Sequence, residues 1–216
     1  MTSDKALQQE VQDELGWEPS LNATHIGVAV GDGVVTLSGQ VESFAEKWAA
    51  ESAAQRVYGV RALAVELIVD LPSTAERADS DIARSVISTL EWMNQLPAHA
   101  VQVVVEKGQV TLNGSLDWEY QRELASSAVR HLLGVRGLHN QIVLKPKVKL
   151  SAVKADIELA LQRRAEQDAQ DIQVRVDGAE VTLSGTVHSW SERNLATHTA
   201  WGTPGVHRVV DQLTFA

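Results

Sequence analysis

The sequence predicts an α+β chain of three tandem α-β-β-α-β modules, each a three-stranded mixed sheet with two helices on one face. Three observations predict it. The phrase VTLSG stands at 35–39, at 110–114 (as VTLNG) and at 181–185, closing on Gly39, Gly114 and Gly185. A Gly-Val pair follows at one fixed offset from each closing glycine: Gly59-Val60, Gly134-Val135 and Gly205-Val206. Ahead of the phrase, hydrophobic spacing changes from every fourth position to every second at the same offsets in every copy. No gap is needed inside a copy, so the unequal spacing of the three phrases arises in the linkers, and the modules are expected at 1–71, 78–146 and 149–216.

Each element follows from its pattern. Leu7, Val11 and Leu15 match Ile82, Val86 and Leu90, and Val153, Ile157 and Leu161. Spacing of this kind, every fourth position, puts each trio on one face of a first helix. It begins near Asp4, Ser80 or Ser151, whose side-chain oxygens can accept from first-turn amides. The alternation Ile26, Val28, Val30, with its counterparts Val101, Val103, Val105 and Ile172, Val174, Val176, marks a half-buried strand. Turns at Gly31-Asp32-Gly33, Glu106-Lys107-Gly108 and Asp177-Gly178-Ala179 lead to the strand that carries the motif. In that strand Gly39 shares a face with Val35, Leu37 and Val41, and a Cβ there is expected to collide with a helix crossing the sheet.

A second helix runs from about Ser43, Asp117 or Ser189 to Gly59, Gly134 or Gly205, each read as the left-handed residue that ends it. Its inward face is small: Ala49, Ala50, Ala53 and Ala54, then Leu124, Ala125, Ala128 and Val129, then Leu195, Ala196, Thr199 and Ala200. Pro204 should end the third copy's helix about a turn early. The last strands are expected at 60–69, 135–144 and 206–215. Modules of about 65 residues bury only about 60% of their unfolded surface, so contacts between modules are expected.

Composition narrows the function. Among 216 residues, Asp and Glu number 28 against 19 Lys and Arg, a net charge of −9 and the wrong sign for a nucleic-acid binder. Without Cys there are no disulfides, thiolate metal sites or cysteine nucleophiles. The opening stretch, from Met1 to beyond Ser20, mixes charge and polarity, so no signal peptide is read, and no run reaches the length of a transmembrane helix. The expected setting is cytoplasmic, or periplasmic if a leader has been removed.

Candidate chemistry is sparse. The seven His residues (25, 99, 131, 139, 188, 198 and 207) form no metal-ligand spacing. Gly31-Asp32-Gly33 lacks the Lys-Ser/Thr of a phosphate loop. Ser38 and Ser184 stand in no GxSxG elbow, and the middle copy has Asn113 there. Glu46, Gln121 and Glu192, each followed by Lys47, Arg122 or Arg193, read as a solvated helix face. No catalytic, cofactor-binding or metal-binding residue is expected.

Six Trp stand beside only two Tyr and two Phe. Trp17 and Trp92 occupy equivalent positions and are expected to cap the core. Trp48, Trp118, Trp190 and Trp201 are unmatched, on or near the second helices, open to module-module packing, a protein partner or a lipid interface, and form with the basic run Lys145, Lys147 and Lys149 a candidate interaction surface. That run, which continues to Lys154, reads first as a solvated linker stiffened by Pro146 and second as an anionic-lipid contact.

The module as a whole, with VTLSG in its second strand and Gly-Val at a fixed distance beyond, resembles the BON domain, named for bacterial osmotic-stress and nodulation proteins. The resemblance covers nearly the whole chain. It implies a non-enzymatic module of the bacterial envelope, associated with phospholipid or membrane attachment, stress responses and, in some members, chaperone-like activity. Two readings follow: a binding or stress-protective array attaching to phospholipid or membrane surfaces, and a scaffold or regulatory protein that uses its modules to bind another protein.

Overall fold

Side chains at every fourth position can be buried together only on one face of a helix, and the first two modules use this fully. The computed structural model describes residues 4–145, 172–203, 206 and 208–215. Helix α1 (Asp4–Trp17) buries Leu7, Val11 and Leu15, and α2 (Phe44–Arg56) crosses the same sheet face beside it. Helix α3 (Asp79–Glu91) buries Ile82, Val86 and Leu90. The third module's corresponding trio, with Ser151, lies outside the described residues.

Asp4 and Asp79 open their helices, yet neither carboxylate caps the helix it begins. Asp4 accepts from the amides of Asp32 and Gly33 at 3.1 and 3.4 Å, and Asp79 from those of Lys107 and Gly108 at 2.8 and 2.9 Å. Each ties the start of the first helix to the hairpin turn. The expectation of a first-turn cap is corrected accordingly: α3 starts just before Ser80, after Ala78, which offers no side-chain cap.

In the first sheet β1 (Ile26–Gly31) runs antiparallel to β2 (Val34–Val41), and β3 (Ala62–Val69) runs parallel to β2 on its other side. Strands β4 (Val101–Glu106), β5 (Gln109–Leu116) and β6 (Gly137–Leu144) repeat this order, as do β7 (Ile172–Asp177), β8 (Glu180–Val187) and β9 (Arg208–Phe215). All three sheets are mixed. The hairpin loops are of the shortest common kind. Asp32 and Gly33 take φ of 52° and 75°, and Lys107 and Gly108 take 51° and 76°, the paired positive values of a type I′ turn. In the third loop Gly178 alone is positive, at 61°.

The second helices are α2 (Phe44–Arg56), α4 (Glu119–Arg130) and α5 (Trp190–Trp201). Ser43 and Ser189 cap α2 and α5, each hydroxyl accepting at 3.1 Å from the amide of Glu46 or Glu192. The carboxylates of those glutamates reach back to the amides of Glu42 (3.2 Å) and His188 (2.7 Å). Gln121 accepts from Asp117 and Trp118, both at 3.2 Å, and Trp118 rather than Asp117 is the N-cap of α4. These three side chains therefore satisfy amides at and just ahead of the N-caps and are not a solvated face, which corrects the sequence reading.

The three helices end at matching places, Arg56, Arg130 and Trp201. Helix α5 thus ends no earlier than its counterparts, and Pro204 lies outside the described residues. Gly59 and Gly134 do have positive φ, 92° and 87°, but they lie in the turn beyond the C-caps Val57 and His131. Gly205 is outside the described residues.

Each core lies between the sheet and its helices. In the first module Val35, Leu37, Val41 and Leu67 meet the α1 trio and Ala50, Ala53 and Ala54. The alanines let α2 approach the strands closely. Val110, Leu112, Leu116 and Ile142 repeat this in the second module, and Val181, Leu183, Val187 and Leu213 in the third. The opposite sheet faces carry exposed Ile68, Val104 and Val143.

Candidate functional site

The repeated glycines serve the fold. Gly39, Gly114 and Gly185 have φ of 121°, 141° and 121°, values a side chain rarely adopts. A Cβ on Gly39 would overlap the His25 carbonyl oxygen, and one on Gly114 the Ala100 carbonyl oxygen. The obstruction is thus backbone entering the neighbouring strand and not the helix the sequence suggested.

The unmatched Trp residues mostly lie where modules meet. At the end of α4 the Arg130 guanidinium carbon sits 3.7 Å from the ring centroid of Trp48 on α2. At the end of α5, Trp201 lies 5.5 Å from the guanidinium of Arg122 on α4. Tyr58, just past α2, stacks on His188, just before α5, with centroids 6.4 Å apart and planes 11° from parallel. In each contact the end of one second helix meets the beginning of the next: second module on first, third on second, first on third. A heterologous contact repeated in this sense closes into a ring.

The opening residues of the second helices agree with the ring. Phe44 packs against the second module's core and Trp190 against the first module's. Glu119 holds the same place in the second module, paired with Arg122 at 2.7 Å. Its Oε2 is buried without a partner, and burial pushes the carboxyl up, opposed by Arg122 and, more weakly, His198. Trp190 also leans on Phe215, with centroids 5.3 Å apart. Arg136 adds a strap, donating to the Val69 carbonyl at 2.9 Å and approaching Glu76 at 3.4 Å. Trp118 is half-buried at the α4 cap.

Trp17 and Trp92 reverse the expectation. They are 84% and 87% exposed and cap no core. Each stands at the end of a first helix, where the chain turns away after its last buried leucine, so the ring projects past the packed face. Trp17 and Trp92 hold equivalent places, the last residue of α1 and the C-cap of α3. Position, not composition, was the missing signal.

Of the basic run, Lys145 is exposed, and Lys147 and Lys149 lie outside the described residues. A groove of about 470 Å³ opens where the linker meets the second module, but its Arg77 and Arg136 already donate to Thr74, Glu76 and Val69 oxygens. Among the described residues no group of His, Asp and Glu could hold a metal ion, and no helix is long and apolar enough to cross a membrane.

Known proteins are similar to this chain in sequence. The BON domain family model matches residues 3–70, 78–146 and 150–216. Osmotically-inducible protein Y of Escherichia coli is 30% identical over 148 residues, 66% of this chain and 73% of that protein. Outer membrane lipoprotein DolP of Haemophilus influenzae is 25% identical over 162 residues, 71% of this chain and 83% of that protein. Among solved structures, CdsD, a structural protein of the Type III secretion system of Chlamydia trachomatis, aligns at 14% identity over 96% of this chain and 91% of that one. Its TM-score of 0.27 is too low to transfer anything. With three matched copies filling nearly its whole length, the chain belongs to the BON-domain family.

Proposed function

We propose that this chain is a non-catalytic, stress-related binding protein that attaches to a phospholipid or membrane surface through Trp17 and Trp92, with modules at 1–71, 78–146 and 149–216. The observation that carries the reading is the exposure of these two equivalent indoles, at 84% and 87%. An indole at the end of a helix gains most where its apolar ring can enter an interface while its N–H stays wet. Two such rings on one chain give two points of attachment, and the second engages at the high effective concentration set by the first.

The relatives support the setting: one is named for osmotic induction and the other as an outer membrane lipoprotein. They favour the periplasmic side of the sequence expectation over the cytoplasmic one. Trp48, Trp190 and Trp201 are assigned to holding modules together, and the run from Lys145 to Lys149 is a secondary lipid contact.

Flotation with phospholipid vesicles tests the reading. The wild-type chain should float, and Trp17→Ala/Trp92→Ala should stay in the dense fraction with an unchanged circular dichroism spectrum. Equal flotation of both would remove the two indoles from the mechanism. Failure of the wild-type chain to float with any vesicle would leave the scaffold reading, in which a protein covers these two rings.

A further inference from the structure

We infer that the seam between the second and third modules is a pH-gated joint, shut while the Glu119 carboxyl is protonated and released when it ionises.

The three modules offer different side chains at the place where each meets the next. The first residue of the second helix is Phe44 in α2, Glu119 in α4 and Trp190 in α5. Phe44 packs on the second module's core and Trp190 on the first module's. The third module's core, among the described residues, is built from its own side chains alone. Two seams are thus plugged by an aromatic ring and the remaining one by a carboxyl group. An apolar ring gains from leaving water at any pH, whereas a carboxyl enters such a place at low cost only in its neutral form.

The charges around Glu119 do not cancel that cost. Arg122, one turn along α4, donates to its Oε1 at 2.7 Å and lies 5.5 Å from the ring centroid of Trp201 on α5. Glu123 on α4 repels the carboxylate, and His198 on α5 attracts it when charged. Oε2 is buried with no hydrogen-bond partner. One oxygen is therefore matched, and the other loses its water with nothing in exchange, so desolvation outweighs pairing and holds the carboxyl above its ordinary value of 4.5.

In an open joint the same carboxyl faces water and titrates near 4.5. The closed form therefore binds the proton more tightly. Closure is strongest below the ordinary value and weakens as pH rises through the closed-form value. A single proton changes the ratio of open to closed by at most about tenfold per pH unit inside that window and leaves it level on either side. Trp190 and the Tyr58–His188 stack keep the third module on the first, so release at Glu119 turns the ring into an open chain of docked modules.

The chain contains no cysteine, so Gln102→Cys/Gln173→Cys, at exposed positions of β4 and β7, puts one dye on each of the two modules in the full-length protein. Energy transfer between the dyes, followed from about pH 4 to about pH 8, should stay level below 4.5, change above it and level off again, with an unchanged far-ultraviolet dichroism spectrum. Glu119→Gln and Glu119→Phe, the second copying Phe44, should hold the low-pH transfer throughout. His198→Gln should keep a response to pH, which separates the two titrating groups of the seam. Constant transfer in the wild-type chain, a response that survives in either folded Glu119 variant, variants fixed at the high-pH transfer, or a response abolished by His198→Gln would each overturn the inference.

Discussion

The sharpest prediction concerns Gly114. Replacing it by Ala adds a single carbon where the Ala100 carbonyl oxygen already sits, with Val101 Cα at 3.2 Å. That oxygen cannot move freely, because the Ala100 amide is bonded to the Pro97 carbonyl at 3.2 Å and Val101 is the register partner of Gly114 itself. Two costs therefore add. Holding a non-glycine residue at a φ of 141° is strained by roughly 1–3 kcal/mol. Relieving the overlap means opening the end of the β4–β5 ladder, at about 1 kcal/mol for each hydrogen bond lost.

The expected total is about 3–5 kcal/mol, a large share of the roughly 5–15 kcal/mol that holds a domain together. In a unit of this size it lowers the melting temperature by on the order of 15 °C or more. Calorimetry and far-ultraviolet dichroism of the full chain measure it, with Gly16→Ala as the control. Gly16 lies in α1 with no atom within 4 Å of a built Cβ, and Ala there should stabilise by up to about 1 kcal/mol. A Gly114→Ala variant that melts within a few degrees of wild type would refute the close-approach explanation, and with it the reason the motif ends in Gly.

Removing the Arg130 guanidinium leaves Trp48 without its cation, so Arg130→Ala should cost about 1–2 kcal/mol, and a double-mutant cycle with Trp48→Ala should return a coupling of about 0.5–2 kcal/mol. Asp79→Ala frees the turn amides of Lys107 and Gly108 and should destabilise the second module by about 1–3 kcal/mol, seen as faster hydrogen exchange at those two amides. Burial raises the carboxyl pKa of Glu119 and of Glu51. A raised acid favours the fold in its protonated form, so this contribution is complete below the ordinary value of 4.5 and is lost as pH rises through the folded value. Urea titrations should therefore show Glu119→Gln with a shallower loss of stability across that window than wild type. Glu18 moves the other way, held down by Ser20 and Arg56, and its contribution is lost as pH falls through its folded value.

The elements were legible because each is a local pattern. The trio Leu7, Val11 and Leu15 needs only the helical period to find its face, and the alternation through Val28 needs only the pleat. Local pattern also misled in definite ways. Asp4 looks like a cap because caps are near in sequence, yet the amides it binds belong to Asp32 and Gly33, across the hairpin turn. Glu46 and Glu192 look solvated beside Lys47 and Arg193, because an i+1 comparison does not show a carboxylate folding back to the amides of Glu42 and His188.

Trp17 and Trp92 were misread, and the role of each unmatched Trp was left open, for a deeper reason. Aligning the copies compares residues at one offset, but a heterologous ring brings different offsets together: Arg130, at the end of its helix, meets Trp48 near the start of another. The partner of an unmatched residue is therefore never its own counterpart, and alignment makes a docking residue look like an isolated novelty. Trp17 and Trp92 stay out of such contacts because the seams use the second helices, while the ends of α1 and α3 leave both rings exposed. In a chain of repeats that close on themselves, difference between copies points inward to the seams, and a large apolar residue that recurs outside the core is the one to read as facing a partner.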